Sequence, residues 1–244
     1  FAGESSDSPP AGSSSSGSVP GQDASIPEAS SEASRPDGAA LEPCVKVSPF
    51  ASDFADGKSP DWQESIDDGS VNLMRSAMGG ETKDGSLHFT YAKSAAPHHH
   101  ILAHGLSPLN ARCFELAVDI ALRSLKERVL VFAELRFKNR NLLGLAIDPD
   151  HRVIIGQQDL DLEMFDELAG TDPVPNDAWS HLLLRLEQTA EGMVVSGAIN
   201  GTAMTRNTRP LLPFDVVDTL EIGVSYAAPD GEGDFQLDRV GLLE

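Results

Sequence analysis

Three acids stand at alternate positions in the stretch DLDLE: Asp159, Asp161 and Glu163. At the period of a β-strand they share one face. Two carboxyls about 5.5 Å apart on one face are what a retaining glycosidase uses, one as acid and base, the other as nucleophile. A solvated acidic edge explains the same residues and is the reading adopted. His98, His100 and His104 in HHHILAH would also share a strand face, but no carboxylate stands at a spacing that would orient them as metal ligands. Neutral surface histidines in an exposed hairpin are the plainer expectation. Asp148 to Asp150 (DPD) reads as a hairpin turn before a metal site. Cys44 and Cys113 could close one disulfide in an oxidising compartment, or stand as two unrelated small residues. There is no Gly-x-Ser-x-Gly elbow, phosphate loop or dinucleotide fingerprint.

The elements that must position these side chains are strands. Phe114, Leu116, Val118, Ile120 and Leu122 alternate with polar or small residues between Arg112 and Leu122, placing Glu115, Asp119 and Cys113 on the opposite, outward face. Val131, Ala133, Leu135 and Phe137 alternate with Glu134 and Arg136, and Leu143, Leu145 and Ile147 follow. Leu182, Leu184 and Leu186 after Trp179 lead through a polar linker to the run Met193 to Ile199. Asn200-Gly201 then supplies two residues that tolerate positive φ, a tight hairpin turn into a third strand at Thr202 to Met204. Glu163 to Gly170 reads as one short helix. In the last strand Phe235 and Leu237 fall out of step with Val240 and Leu242, which predicts a bulge at Asp238-Arg239. Strands outnumber helices and turn signals recur at short intervals, so an all-β, antiparallel β-sandwich is expected.

Charge and composition divide the 244 residues. Residues 1–42 are dominated by Ser, Pro, Gly, Ala and acids, too poor in apolar side chains to offset the entropy of ordering, and read as a disordered tether. The body, 43–244, carries most of the formal −20, which argues against nucleic acid and anionic lipid as partners. No apolar run is long enough for a transmembrane segment. The sequence begins at Phe1 without an initiator methionine: either a leader has been removed or the sequence is a piece cut at that point.

The order FASDFADG…PDW, GSLHF, CFELAVDIALRSLKERVLVFAELRF, GLAIDPDHRVIIG, WSHLLLRLE, INGTAM, TLEIGVSY and FQLDRVGLL resembles the concanavalin A-like, laminin G-like jelly rolls over nearly all of residues 45–244. That resemblance implies a jelly roll of the lectin and glucanase type, in which the last strand, Phe235 to Leu242, lies beside the first, Val45 to Phe50, and Trp179 anchors the core. It also implies a structural calcium where first and last strands meet; by position the ligands would be Asp238 with Asp56 or Asp53. The acids of DLDLE resemble the Glu-x-Asp-x-Glu strand of laminarinase-type glucanases, with Asp159 in the place of the first Glu and only Trp62 and Trp179 as tryptophan platforms. The Ser/Pro-rich tail resembles the tether of bacterial surface lipoproteins, which would place a lipid anchor upstream of residue 1. The leading expectation is a non-catalytic, extracytoplasmic module, secreted or surface-tethered, that binds carbohydrate or a surface protein. The alternatives are a glycoside hydrolase acting through Asp159, Asp161 and Glu163, and a structural accessory domain without a ligand.

Overall fold

The structure, a computed structural model, describes residues 50–52, 54, 61–66, 70–109, 113–126, 129–159, 164–190, 192–206 and 210–243, all within the unit Arg35–Glu244. Every regular element among them is a strand: β1 (Phe50–Ser52), β2 (Gln63–Ile66), β3 (Val71–Ser76), β4 (Ser86–Tyr91), β5 (His98–Leu109), β6 (Cys113–Lys126), β7 (Leu130–Phe137) and β8 (Asn141–Ile147) come first. After them run β9 (Arg152–Asp159), β10 (Met164–Pro173), β11 (Trp179–Thr189), β12 (Gly192–Ile199), β13 (Thr202–Ala203), β14 (Thr205–Arg206), β15 (Val217–Ala227) and β16 (Glu232–Leu243). They form two antiparallel sheets of eight strands. Sheet A runs β13-β12-β11-β6-β16-β4-β3, with β1 also on β16, and sheet B runs β14-β10-β9-β8-β7-β15-β5-β2. Among the described residues no helix is long and apolar enough to cross a membrane.

Period-two alternation decides which face of each sheet is buried. Leu116, Val118, Ile120 and Leu122 of β6, Leu182, Leu184 and Leu186 of β11, and Phe235, Leu237, Val240 and Leu242 of β16 all lie in the core. Removing each such side chain from water contributes roughly 1.5–3 kcal/mol. The chain closes as expected at its ends: Phe50 pairs with Leu242, Ala51 with Gly241 and Ser52 with Val240, while residues 45–49 of the expected first strand lie outside the described residues. The β16 phase break is a bulge, seen as a register shift between Asp238 and Gly241 with Arg239 at φ 41°. The Asn200-Gly201 turn has both residues at positive φ, 49° and 81°, as its chemistry requires, although β13 continues for only two residues.

Several expectations are corrected. Glu163–Gly170 contains no helix among its described residues: β10 pairs antiparallel with β9, and bulges at Glu167/Ala169 and Gly170/Pro173 break the alternation that would have marked a strand. Sheet pairing overrides a local helical look. In β7 a bulge between Val131 and Ala133 turns Leu130 and Phe132 into the core with Ala133, Leu135 and Phe137, and leaves Val131 outside the cluster. His98 and His100 are buried between the sheets rather than exposed. Phe89 meets the His100 ring edge-on at 6.1 Å and Tyr91 packs on His98 at 4.9 Å. Ser70 Oγ is 2.6 Å from His98 Nδ1, and His100 Nε2 donates to Glu64 Oε1 at 2.7 Å. Trp179 is only half-buried, and Trp62, beside Phe54 and His104, is the buried tryptophan.

Candidate functional site

Charged side chains on strands β7, β9, β10 and β15 meet on the outer face of sheet B. The register sets Glu221 opposite Glu134, Glu134 opposite Gly144, Gly144 opposite Gly156 and Gly156 opposite Glu167. These residues alternate with the core positions, so their side chains point away from the sandwich. Glu134 nevertheless has 2% of its surface exposed and Glu221 8%. Arg136 lies with both: its Nη2 donates to Glu134 Oε1 at 2.7 Å, and its Nε forms an ion pair with Glu221 Oε2 at 2.7 Å, too bent for a good hydrogen bond. Ser225 Oγ donates to Glu134 Oε1 at 3.3 Å. Burial pushes the Glu134 carboxyl up to about 7, with neighbouring Glu221 adding to the rise and Arg136 opposing it. Two carboxyls placed side by side resist ionising together. Their oxygens are engaged by Arg136, so this pair reads as a cradle for a guanidinium, without the gap for a sugar that a glycosidase requires.

Arg152 repeats that construction where the sheet opens. Its Nη2 donates to Glu167 Oε1 at 3.0 Å, and its Nε pairs with Asp148 Oδ2 at 3.0 Å, again with a bent approach. Asp148 itself is fixed by the hairpin turn that DPD predicts, accepting from the backbone N–H of Asp150 at 3.0 Å and of Arg152 at 2.9 Å. The pair borders a cleft of about 560 Å³ where β10 and β14 of sheet B meet the β12–β13 hairpin of sheet A. Thr171, Asp172, Asn200, Thr202 and Thr205 line it together with Arg152 and Glu167. Gly170 keeps it open, because a Cβ there would stand 2.9 Å from Glu167 Oε1 and 3.2 Å from Arg152 Nη2. Two residues before Glu167, the half-buried Phe165 ring lies over Gly156, where a Cβ would meet it at 2.1 Å. Concave clefts of this size that carry a few oriented polar groups are a usual form of small-ligand sites.

On sheet A, Asp119 of β6 faces outward as expected but is 1% exposed. His181 Nδ1 donates to its Oδ1 at 2.6 Å, and the Arg239 guanidinium donates to its Oδ2 and to Glu81. The hydrogen bond to Asp119 raises the His181 pKa, against partial burial that lowers it. Asp119, His181 and Arg239 border a second cleft, of about 380 Å³, with Ala117 and Gly241.

Asp238 sits at this bulge, opposite Asp119. It is covered by the turn around Gly80: its carboxylate accepts the backbone N–H of Glu81 at 3.1 Å and of Arg239 at 2.7 Å. Burial raises its pKa, those two N–H bonds oppose the rise, and Asp84 adds to it. Among the described residues no group of three His, Cys, Asp or Glu side chains stands together as a metal site, and Asp53 and Asp56, the other expected calcium ligands, lie outside the described residues. Asp159 ends β9, paired with Met164; Asp161 and Glu163 also lie outside the described residues. Cys113 is disulfide-bonded, and Cys44, the other cysteine of the chain, is not among the described residues.

Arg136, Arg152, Glu167 and Glu221 were not legible as site residues, because alternation marks them only as outward. What joins them is cross-strand register, and the one local signal was the DPD turn that holds Arg152.

No protein-family model matches the sequence, and no curated protein sequence matches it. Solved structures do resemble the fold. A cellulose-induced protein, Cip1, superposes with a TM-score of 0.57 at 9% identity, over 79% of this chain and 96% of that one. Domain 4 of AbnA, an extracellular arabinanase of Geobacillus stearothermophilus solved with arabinotriose, gives 0.52 at 12% identity, over 82% and 93%. A carbohydrate esterase of a Shiga toxin-encoding bacteriophage gives 0.52 at 11%, over 82% and 99%. The fold is an antiparallel β-sandwich of the jelly-roll kind. Carbohydrate-binding and carbohydrate-active domains share it.

Proposed function

We propose that the protein is a non-catalytic, extracytoplasmic glycan-binding module, and that the glycan occupies the cleft around Arg152 and Glu167. The observation that carries this reading is the cleft itself, about 560 Å³ of hydroxyl, amide and carboxylate groups beside a guanidinium held by two carboxylates. Donors oriented in advance cost little to organise when a hydroxyl-rich ligand arrives. The half-buried Phe165 ring and the glycines at 144 and 156 continue the surface toward Arg136. Three strand spacings, roughly 14 Å, separate β7 from β10, so a short oligosaccharide could reach from one arginine to the other. The likeness to a domain solved with arabinotriose supports the reading at the level of fold.

Residues 1–42 serve in this proposal as a tether, and a bridge from Cys44 to Cys113 fastens its end to β6, supported by the disulfide-bonded state of Cys113. Deleting 1–42 is then expected to leave Tm unchanged; a fall of several degrees would mean that the segment packs on the body.

A glycan array combined with a reducing-end release assay tests the function. Binding without release, lost in Arg152→Ala at unchanged Tm, is the expected result. Release of reducing ends that disappears in Glu163→Gln would replace it with the hydrolase reading.

A further inference from the structure

We infer that the edge cleft takes an uncharged polysaccharide and discriminates against uronic-acid polymers, an inference that rests on the cleft being the glycan site. Arg152 is the cation among the described residues that line it. That guanidinium is already matched by two carboxylates, Glu167 on Nη2 and Asp148 on Nε, both at 3.0 Å. A uronate entering the cleft would meet a guanidinium whose charge is already matched, and would do so beside a third acid, Asp172, which is exposed on the wall. The local charge of these four side chains is net negative, within a chain of formal charge −20, so the field opposes an anionic chain at contact and on approach.

A polycation gains little more, because Glu167 and Asp148 direct their charge at Arg152 and an isolated exposed carboxylate such as Asp172 attracts only weakly in water. Besides the Arg152 guanidinium, what the cleft has to offer is neutral: the Thr202 and Thr205 hydroxyls, the Asn200 side-chain NH2 and backbone polar groups, with Val174 and Ile199 as apolar wall. Neutral donors and acceptors beside apolar surface match the hydroxyls and C–H faces of an uncharged sugar, and such binding is insensitive to salt.

The test is affinity electrophoresis and calorimetry of the full chain against arabinan, xylan and mixed-linkage glucan, against polygalacturonate and alginate, and against chitosan, each at low and high salt. Binding is expected to at least one neutral polymer, with Kd changing less than about twofold between the two salt conditions. No binding to the uronates is expected. Asp172→Lys, at an exposed position, and Glu167→Gln, which leaves Arg152 with charge to spare, are each expected to gain salt-sensitive binding of polygalacturonate. Uronate or chitosan binding by the unaltered protein that is tighter than any neutral polymer and weakens with salt would overturn the inference while leaving the glycan reading in place. Absence of binding to every polymer would overturn both. Melting curves of the two variants confirm that they fold.

Discussion

Arg136 and Arg152 are built alike and placed differently. Each guanidinium lies between two carboxylates, one on Nη2 and one on Nε. Around Arg136 both partners are buried in the middle of sheet B, on strands whose neighbours on both sides are paired. Around Arg152 the partners are a turn aspartate and a half-exposed glutamate at the mouth of a cleft. One construction therefore does two jobs. In the middle of the sheet it neutralises acids that water cannot reach, and at the edge it holds a donor still for a ligand. Burial, and not the residue types, separates the two roles.

The largest expected effect comes from removing the buried arginine. Arg136→Ala leaves Glu134 and Glu221 side by side without a counter-ion, which typically costs about 3–5 kcal/mol; chemical denaturation of wild type and variant measures it. A loss under about 1 kcal/mol would mean that water reaches the pair, and the contrast with Arg152 would vanish.

Next in size is a pH effect confined to the buried clamp. The Glu134 carboxyl is raised to about 7 from 4.5, so the folded state holds its proton more tightly than the unfolded chain. The stability that follows is fully present below about pH 4.5 and is lost as pH rises through about 7, amounting to at most about 3 kcal/mol. Melts from acidic to alkaline pH should show that decline in wild type and not in Glu134→Gln.

Filling the open site should separate binding from stability. Gly170→Leu places a side chain against Glu167 and Arg152, and glycan affinity should fall at least about tenfold, equivalent to about 1.4 kcal/mol, with Tm moved by only a few degrees. The smallest effect belongs to Arg152→Ala itself: a half-exposed ion pair contributes under about 1 kcal/mol to stability, so its melt should nearly overlay wild type even where binding is gone. Equal destabilisation by Arg152→Ala and Arg136→Ala would show that the two clamps are both structural.

The core strands of this jelly roll were legible without coordinates because alternation is a local property. Each of Phe114, Leu116, Val118, Ile120 and Leu122 announces its own face, and all five are buried. The Asn200-Gly201 turn and the bulge at Asp238-Arg239 are equally local, one a matter of allowed φ and the other of broken phase. Where the pattern carried no face, reading failed. The strands β2 and β3 lie at sheet edges; β2 is wholly exposed, and β3 sets only Val71 and Leu73 toward the core, so hydrophobicity had little to mark. In β10 two bulges scrambled the period and imitated a helix.

Sequence alone determined the sandwich and the acidity of the chain, since each follows from side-chain type and short-range spacing, while the pairing of the last strand with the first was implied by the family resemblance. Only tertiary structure decided which outward charges are wet. Glu134 and Glu221 meet because β7 and β15, far apart in the chain, are neighbours in register. Arg152 becomes a candidate ligand donor because sheet B ends near it and the β12–β13 hairpin of sheet A stands opposite. Alternation can say that a side chain points out of the core. Whether water, a second charge or an open cleft lies beyond it depends on neighbours that the local sequence does not contain.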